Sequence, residues 1–299
     1  MNDRKQHVIK MAHQLFIDKG FQRTSIQDIL DYSGISKGTF YNYFPSKNEL
    51  LIALFKVVYK ELEKERNDLL VGQDPSNIEI FIKQVQLQME TSRTSKLISL
   101  FEEVNSSDDK ELKQFVKKGQ LRGLSWLYLR FIDIFGESKE RYLLDCAIMF
   151  MGMLQHNLKY NALAYGQNTN IHQIVRYSVE RLVKMVEEVS ESKQQLIQPN
   201  LLEKWLPTNK SCNKTFLQEL HHTILSLKKH VNGDESQLTY MELLNFIQDE
   251  LFHSEVPRKS LIESALFFLK NNSLLSNYGE LDKLNNLIKV YFTKQKTDL

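Results

Sequence analysis

The polar side chains that are most informative about function lie in one short segment, residues 37–44, which reads KGTFYNYF. Within it a lysine, a threonine, a tyrosine and an asparagine are spaced so that they can face outward from a short helix. Such groups donate and accept hydrogen bonds to phosphate oxygens and base edges, and the major groove of B-DNA admits one α-helix. The segment therefore predicts a DNA-recognition helix that exposes Lys37, Thr39, Tyr41 and Asn42.

A recognition helix must project from a small, firmly packed scaffold, and the flanking residues can supply one. Gly20 is placed to end a helix over residues 4–19, and Gly34 breaks a second, short helix. Ser36 can cap the polar helix, which Pro45 stops. Two helices joined by a tight turn that contains glycine form a helix-turn-helix. The predicted scaffold consists of Phe16, Phe21, Ile26, Ile29, Ile35, Phe40 and Phe44.

The charge of the chain is nearly balanced, with 39 Lys and Arg against 37 Asp and Glu. Residues 1–55 carry seven basic and five acidic side chains. A DNA-binding surface must therefore be local. The ordered spacing of polar and apolar positions, and not the net charge, supports the prediction of DNA binding.

Cysteine usage and the N-terminal sequence indicate a cytoplasmic protein. Cys146 and Cys212 are far apart and have no CxxC spacing, which argues against a zinc site and a disulfide framework. The first residues are polar and do not resemble a signal peptide. No apolar window approaches the roughly 20 residues that span a membrane, so no membrane partner is expected.

The whole chain is predicted to be all-α, because only 11 Gly and 5 Pro interrupt 299 residues and no alternating β-branched run appears. Ser46 followed by Glu49 is a capping box that opens a fourth helix over about 47–70. Helical segments follow near 76–92, 94–105, 108–135, 138–166 and 170–191, and later near 213–231, 237–253, 257–272 and 279–295. The predicted units are a helix-turn-helix domain over 1–55, a helical domain over 56–191, a linker over 192–212 and a helical extension over 213–299.

The run GFQRTSIQDILDYSGISKGTFYNYFPSKNELL, from Gly20 to Leu51, resembles the signature of the TetR/AcrR family of bacterial regulators. The resemblance is nearly free of gaps over about 45 residues and is far more specific than a generic helix-turn-helix. It departs at Leu30 and Ser33, where the family usually has small residues. Neither departure touches the positions that face DNA, although Leu30 is expected to alter the packing of the second helix.

The resemblance implies several contacts to the DNA backbone. Ser25, at the start of the second helix, would bind a phosphate through its hydroxyl or backbone N–H. Tyr41 would donate its phenol O–H to a phosphate, and Lys47, in the first turn of the fourth helix, would meet another. Ser36, at the cap of the recognition helix, belongs to the same predicted surface.

The resemblance also implies which residues enter the groove. Lys37 and Thr39 would reach into the major groove, and Gly38 would let the helix backbone approach the DNA closely. Asn42 could bind a base edge, for which its amide suits adenine best. Tyr43 could contact the backbone or thymine methyl groups, and it could equally be a core side chain.

Beyond residue 55 the resemblance implies a helical domain for ligand binding and homodimerisation. The helices near 138–166 and 170–191 would pair with their copies, although their apolar stripes could also be ordinary core. The first stripe consists of Leu143, Leu144, Ala147, Ile148, Met151, Leu154 and Leu158. The second consists of Ile171, Ile174, Val175, Ser178, Leu182, Val183 and Val186.

The effector is expected to be a small hydrophobic molecule of unknown identity, because aromatic and methionine side chains suit such ligands. Each lining candidate could also be a core residue. Glu102 and Glu103 could attract a cationic drug or form a solvated helix face. The candidates for the effector cavity are Trp126, Tyr128, Phe131, Met149, Met153, His156 and Tyr160.

The resulting hypothesis is a transcriptional regulator, a repressor that leaves a pseudo-palindromic operator when the effector binds. The alternative is a helical interaction or adaptor protein that keeps the fold without specific DNA binding. An enzyme is not expected, because the sequence shows no catalytic constellation, metal site or cofactor motif. The extension could enlarge the dimer, cover the ligand domain or bind another protein. Its histidines, His221, His222, His230 and His253, are expected to be structural or at the surface.

Overall fold

A computed structural model describes residues 3–206, 214–231, 237–254, 256–271 and 279–297. The described residues form fourteen α-helices and two short 3₁₀ turns without any strand, which confirms the all-α prediction. The helices are α1 (Asp3–Lys19), α2 (Ile26–Ser33), α3 (Lys37–Tyr43), α4 (Lys47–Asp68), α5 (Ile78–Thr94), α6 (Leu97–Asn105), α7 (Lys110–Phe135), α8 (Glu140–Tyr165), α9 (Ile171–Ser192), α10 (Asn200–Trp205), α11 (Lys214–Val231), α12 (Gln237–His253), α13 (Lys259–Lys270) and α14 (Gly279–Thr297).

The N-terminal core unites α1–α4 with α6 and the start of α7. Phe16, Phe21, Ile29, Phe40 and Phe44 are buried in it as predicted, and the two remaining scaffold residues pack against it partly buried. Side chains from beyond residue 55 belong to the same cluster, namely Leu97, Leu100, Val104, Leu112 and Val116. The helix-turn-helix is therefore packed directly on the helices that follow it.

The second core lies among α5, α7, α8 and α9, and it contains most residues of the two apolar stripes predicted on α8 and α9. Within one chain α8 packs on α9, and most of each stripe is buried there. A dimer contact through these helices would have to use their other faces. The stripe residues fully buried in this core are Leu143, Leu144, Ala147, Leu154, Ile171, Ile174, Val175, Ser178, Leu182 and Val186.

The segment predicted as a linker contains a helix, α10. Its start follows Pro199, and Leu202 is buried against the second core. A helix of six residues is too short to show apolar periodicity, which explains why the sequence pattern missed it. Cys212 lies outside the described residues, whereas Cys146 is free and buried.

The extension forms a bundle of α11–α14 with a core of its own. It docks on the preceding domain through α11, where Leu225 packs with Leu70 and Ile80. His222 Nε2 lies 3.2 Å from Asp133 Oδ1 of α7. Lys60 of α4 also forms an ion pair with Asp249 of α12. The bundle therefore contacts the C-terminal half of α4.

The other histidines of the extension differ in their surroundings. His221 is partly buried, and His230 Nδ1 lies 2.8 Å from the carbonyl oxygen of Ser226 on its own helix. The side chain of His253 lies outside the described residues. None of the described helices contains an apolar stretch long enough to cross a membrane.

The turn between α2 and α3 depends on a left-handed residue. Gly34 has φ 68° and ψ 27°, and its N–H donates to Leu30 O at 2.9 Å. A Cβ at this position would meet nothing within 4 Å, so only the backbone conformation favours glycine.

We expect Gly34→Ala to lower the free energy of unfolding by about 1 kcal/mol, because an L-residue is strained in the left-handed region. The matched control is Gly123→Ala in the middle of α7, where a Cβ also meets open space. That change should raise stability by about 0.5–1 kcal/mol. Urea unfolding followed by circular dichroism measures both, and equal effects of the two variants would contradict the assignment.

Candidate nucleic-acid interface

The start of α2 is held by a reciprocal capping box, with Ser25 as the N-cap. Ser25 Oγ accepts from Asp28 N at 3.0 Å, and Asp28 Oδ2 accepts from Ser25 N at 2.8 Å and from its hydroxyl at 2.6 Å. The hydroxyl bond and the Lys19 ammonium hold the pKa of Asp28 well below its usual range. A phosphate contact from Ser25 therefore requires the exchange of one of these bonds, and it stays a prediction.

Helix α3 is fixed by its cap and by one buried ring. Ser36 Oγ accepts from Thr39 N at 3.1 Å, as the sequence predicted for the cap. Phe40 is fully buried and anchors the opposite side of the helix. The outward face consists of Lys37, Gly38, Tyr41 and Asn42, with Thr39 partly exposed beside it. These residues share one face because their spacing is close to one helical turn.

Gly38 is a glycine that the fold itself does not require. It sits inside α3 with ordinary helical geometry, and a Cβ there would meet only Ser36 Oγ, at 3.9 Å. Glycine within a helix costs about 0.5–1 kcal/mol relative to alanine. The stability of the fold therefore does not explain why a glycine lies on this exposed face. A close approach of another molecule to the helix backbone would explain it.

Tyr43 lies partly buried and packs against the N-terminal core. Its ring centroid is 6.2 Å from that of Phe44 in an edge-on arrangement. The position is compatible with both sequence interpretations, a core side chain and a backbone contact.

Lys47 holds the turn between α1 and α2, residues 20–24, which we call the α1–α2 turn. Its ammonium donates to the carbonyl oxygens of Phe21 and Thr24, each at 2.9 Å, and lies 4.4 Å from the centre of the Phe21 ring. Burial lowers the pKa of Lys47 while the nearby Glu103 carboxylate raises it. The predicted phosphate contact of Lys47 is untested, and the structure gives this ammonium an internal role as well.

Glu103 of α6 holds the same turn by accepting hydrogen bonds from the backbone amides of the turn. Its carboxylate accepts from Phe21 N at 3.2 Å and from Gln22 N at 2.7 Å. At the other end of α6, Lys96 Nζ donates to Ile17 O at 3.0 Å. From the sequence alone, Glu103 is predicted only to attract a cationic drug or to belong to a solvated helix face. No local pattern points to a contact between residues that are 82 positions apart.

The seven residues predicted to line an effector cavity do not face one space. On α7, Tyr128 and Phe131 are buried in the second core, and Trp126 packs on the guanidinium of Arg66. On α8, Met153 packs partly buried against the same core, whereas the other three residues are at the surface of the chain. Of these Met149, His156 and Tyr160 are exposed, and Met153 is partly buried. Among the described residues no cluster of three or more His, Cys, Asp or Glu side chains is arranged to hold a metal ion.

Comparison with known proteins supports the assignment of the N-terminal residues. Residues 8–54 match the family model of bacterial regulatory proteins of the tetR family. The uncharacterized HTH-type transcriptional regulator YerO of Bacillus subtilis is 28% identical over 96% of both chains. YuxN of the same organism, with the same description, is 25% identical over 97% of this chain and 99% of its own. No solved structure matches.

The two full-length relatives matter for the C-terminal half. Because their matches cover 96% and 97% of this chain, they extend into α11–α14. The extension is therefore part of an architecture that this chain shares with YerO and YuxN. A third relative, the HTH-type transcriptional regulator EthR of Mycolicibacterium smegmatis, is 36% identical over only 62 residues, 21% of this chain and 29% of its own.

We expect Glu103→Ala to lower the free energy of unfolding by about 1 kcal/mol, because two backbone N–H groups lose a charged acceptor. Amide hydrogen exchange at Phe21 and Gln22 should accelerate. Glu102→Ala is the matched control, since the neighbouring side chain is exposed, and should change stability by less than about 0.5 kcal/mol. If the hydrogen-exchange rates of Phe21 and Gln22 are the same in Glu103→Ala as in Glu102→Ala, Glu103 does not hold the turn.

Proposed function

We propose that the chain, whose residues 8–54 match the tetR-family model, is a transcriptional repressor that a small molecule releases from its operator. The outward face of α3 carries the DNA-binding part of the proposal. It combines the ammonium of Lys37, the phenol of Tyr41 and the amide of Asn42 with Gly38. The fold has room for a side chain at Gly38 and does not require a glycine there.

The proposed contacts follow from this face. Lys37 and Thr39 enter the major groove, Asn42 binds a base edge, and Tyr41 donates to a phosphate. Ser25, Ser36, Tyr43 and Lys47 border the face and contact the DNA backbone. In this arrangement Ser25 and Lys47 exchange a bond within the protein for one to phosphate.

The proposal of repression is supported by the names of partial relatives. DhaR of Mycobacterium sp. strain GP1 and KstR2 of Mycobacterium tuberculosis are both named HTH-type transcriptional repressors. They are 28% and 32% identical to this chain over 60 and 56 residues.

We propose that the protein binds a pseudo-palindromic operator as a homodimer, because a single helix-turn-helix touches too few base pairs for useful specificity. The contact would use the exposed faces of α8 and α9, and not the buried stripes. Large apolar side chains are exposed there, which is typical of an interaction surface. They are Met149, Tyr160, Leu163, Tyr165 and Tyr177.

Release would follow from a shift in the spacing of the two recognition helices. An effector causes release only if it binds the DNA-incompetent arrangement more tightly than the competent one. Both α4 and α6 reach the α1–α2 turn, through Lys47 and Glu103, and both pack on α5 or α7. A ligand that moves α5 or α7 would therefore displace the start of α2 through two contacts, that of Lys47 and that of Glu103 with the α1–α2 turn.

DNA binding is tested by fluorescence anisotropy with the region upstream of the protein's own gene, at two salt concentrations. Specific binding should persist at physiological salt and weaken steeply as salt is added. Asn42→Ala should change sequence preference by about 1–3 kcal/mol at one base pair. The control is Lys283→Ala, on the exposed surface of α14. If the wild-type protein shows no preference for this region over random DNA, the result contradicts the proposal and favours the adaptor alternative.

The dimer contact is tested by Tyr160→Glu, which should convert the dimer to a monomer in analytical ultracentrifugation. A carboxylate at the centre of an apolar contact would be desolvated without a partner, which costs several kcal/mol. Phe267→Glu, at an equally exposed position of α13, is the matched control and should remain dimeric. A dimeric Tyr160→Glu protein would exclude this face.

A further inference from the structure

The first half of α7 exposes a dense group of cations, which we call the α7 basic face. It consists of Lys110, Lys113, Lys117, Lys118 and Arg122. Within the part of the chain that the structure describes, none of the five takes part in a hydrogen bond or an ion pair. The one acid between residues 110 and 122 is Glu111. Since the chain as a whole is nearly neutral, this excess of positive charge is a local feature.

The placement of these charges opposes the stability of the helix. Lys113 and Lys117 are four residues apart, and so are Lys118 and Arg122. Residues at this spacing are neighbours on a helix surface, so each pair of like charges destabilises α7. The fold does not account for such a pattern, whereas a polyanion that neutralises the face would account for it.

The opposite side of the same helical turns belongs to the N-terminal core. Leu112 and Val116 are buried there with side chains of α1–α4. Asp109, the N-cap of α7, accepts a hydrogen bond from Asn48, which follows Lys47 in the first turn of α4. The α7 basic face is therefore attached to the DNA-binding domain itself.

Helix α4 continues the face on one flank. Tyr59 packs on α7 at Gly119, where a Cβ would meet its hydroxyl at 3.1 Å. Burial raises the pKa of Tyr59, and the nearby Arg122 guanidinium lowers it. Lys56 is exposed one turn earlier on α4, with its ammonium 5.9 Å from the centre of the Phe115 ring. Two packed helices thus contribute to one cationic surface.

The outward face of α3 supplies little charge of its own. Its one cation is Lys37, and the Lys47 ammonium is already bonded to the α1–α2 turn. Affinity for DNA comes largely from neutralised phosphates, because each one releases counterions. Unpaired cations beside the DNA-binding domain are therefore suited to supply the remaining charge.

We propose that the α7 basic face binds the phosphate backbone of the DNA that flanks the operator. The inference rests on the operator binding proposed above. Residues 110–122 extend about 18 Å along α7, which is about half a helical turn of B-DNA. A homodimer has two such faces, so that the duplex is held on both flanks and curves toward the protein. Contacts of this kind add affinity without reading sequence.

The inference is tested with two duplexes that share one operator, which hydroxyl-radical footprinting first locates upstream of the protein's own gene. The short duplex has about 20 base pairs, and the long one carries a further helical turn of about 10 base pairs at each end. Fluorescence anisotropy at low salt should show at least about tenfold tighter binding to the long duplex. This advantage should fall as salt is added, with a slope that is steeper by about 0.9 for each additional phosphate.

The double variant Lys113→Gln/Lys117→Gln should lose most of the advantage of the long duplex and keep its affinity for the short one. Its matched control is Lys283→Gln/Lys289→Gln, which removes two exposed lysines of α14 and should bind both duplexes as the wild type does. Removal of a repulsive pair should leave the thermal unfolding midpoint of the first variant unchanged or raise it. Unfolding then does not explain a loss of affinity.

Equal affinity of the wild-type protein for the two duplexes overturns the inference and favours an acidic protein as the occupant of the face. A Lys113→Gln/Lys117→Gln protein that keeps the full advantage of the long duplex also overturns it. Binding of both proteins to random DNA separates the inference from the proposed function. A wild-type protein that does not prefer the operator contradicts the proposed function. On random DNA, a salt slope lower by about 1–2 in the variant supports the phosphate contacts, and equal slopes overturn them.

Discussion

The structure depends on the α1–α2 turn being held from both sides by opposite charges. The Lys47 ammonium donates to the carbonyl oxygens of Phe21 and Thr24, while the Glu103 carboxylate accepts from the N–H groups of Phe21 and Gln22. Since the turn leads directly into the capping box at Ser25, these two side chains set where α2 begins. The position of α2 in turn sets that of α3, because the Gly34 turn that joins them is short and conformationally restricted. Two side chains from outside α2 and α3 thereby help to position the outward face of α3.

The same constraint connects the DNA-binding domain to the rest of the chain. Helix α4 has 22 residues and is therefore about 33 Å long. Lys47 at its start holds the turn, and Arg66 near its end donates to Gln88 of α5 and packs on the Trp126 ring of α7. Since α6 also contributes to the N-terminal core through Leu97, Leu100 and Val104, the turn is packed against helices that follow the DNA-binding domain. The C-terminal bundle packs beside the same end of α4, where Leu225 of α11 contacts Leu70.

The structural features that depend on residues close together in the sequence could be predicted from the sequence. The caps at Ser25 and Ser36, the break at Gly34 and the outward face of α3 are local features, and all are present. Periodicity also located the long helices, but it cannot tell whether an apolar stripe packs within a chain or against a copy. Residue type alone predicts Met149, His156 and Tyr160 to line a cavity, whereas their side chains are exposed in this chain. Glu103, Arg66 and Arg130 depend on contacts between residues distant in the sequence, which no spacing rule reveals.

The central claim is that Lys47 and Glu103 act on DNA binding through one shared turn, and a double-mutant cycle on operator affinity tests it most directly. Lys47→Met, Glu103→Gln and the double variant are compared by fluorescence anisotropy at one salt concentration. If both side chains hold the same turn, each single change weakens binding, and the double change weakens it by less than the sum, with a coupling energy of about 1 kcal/mol. Strictly additive effects, or unchanged affinity in Glu103→Gln, would contradict the account.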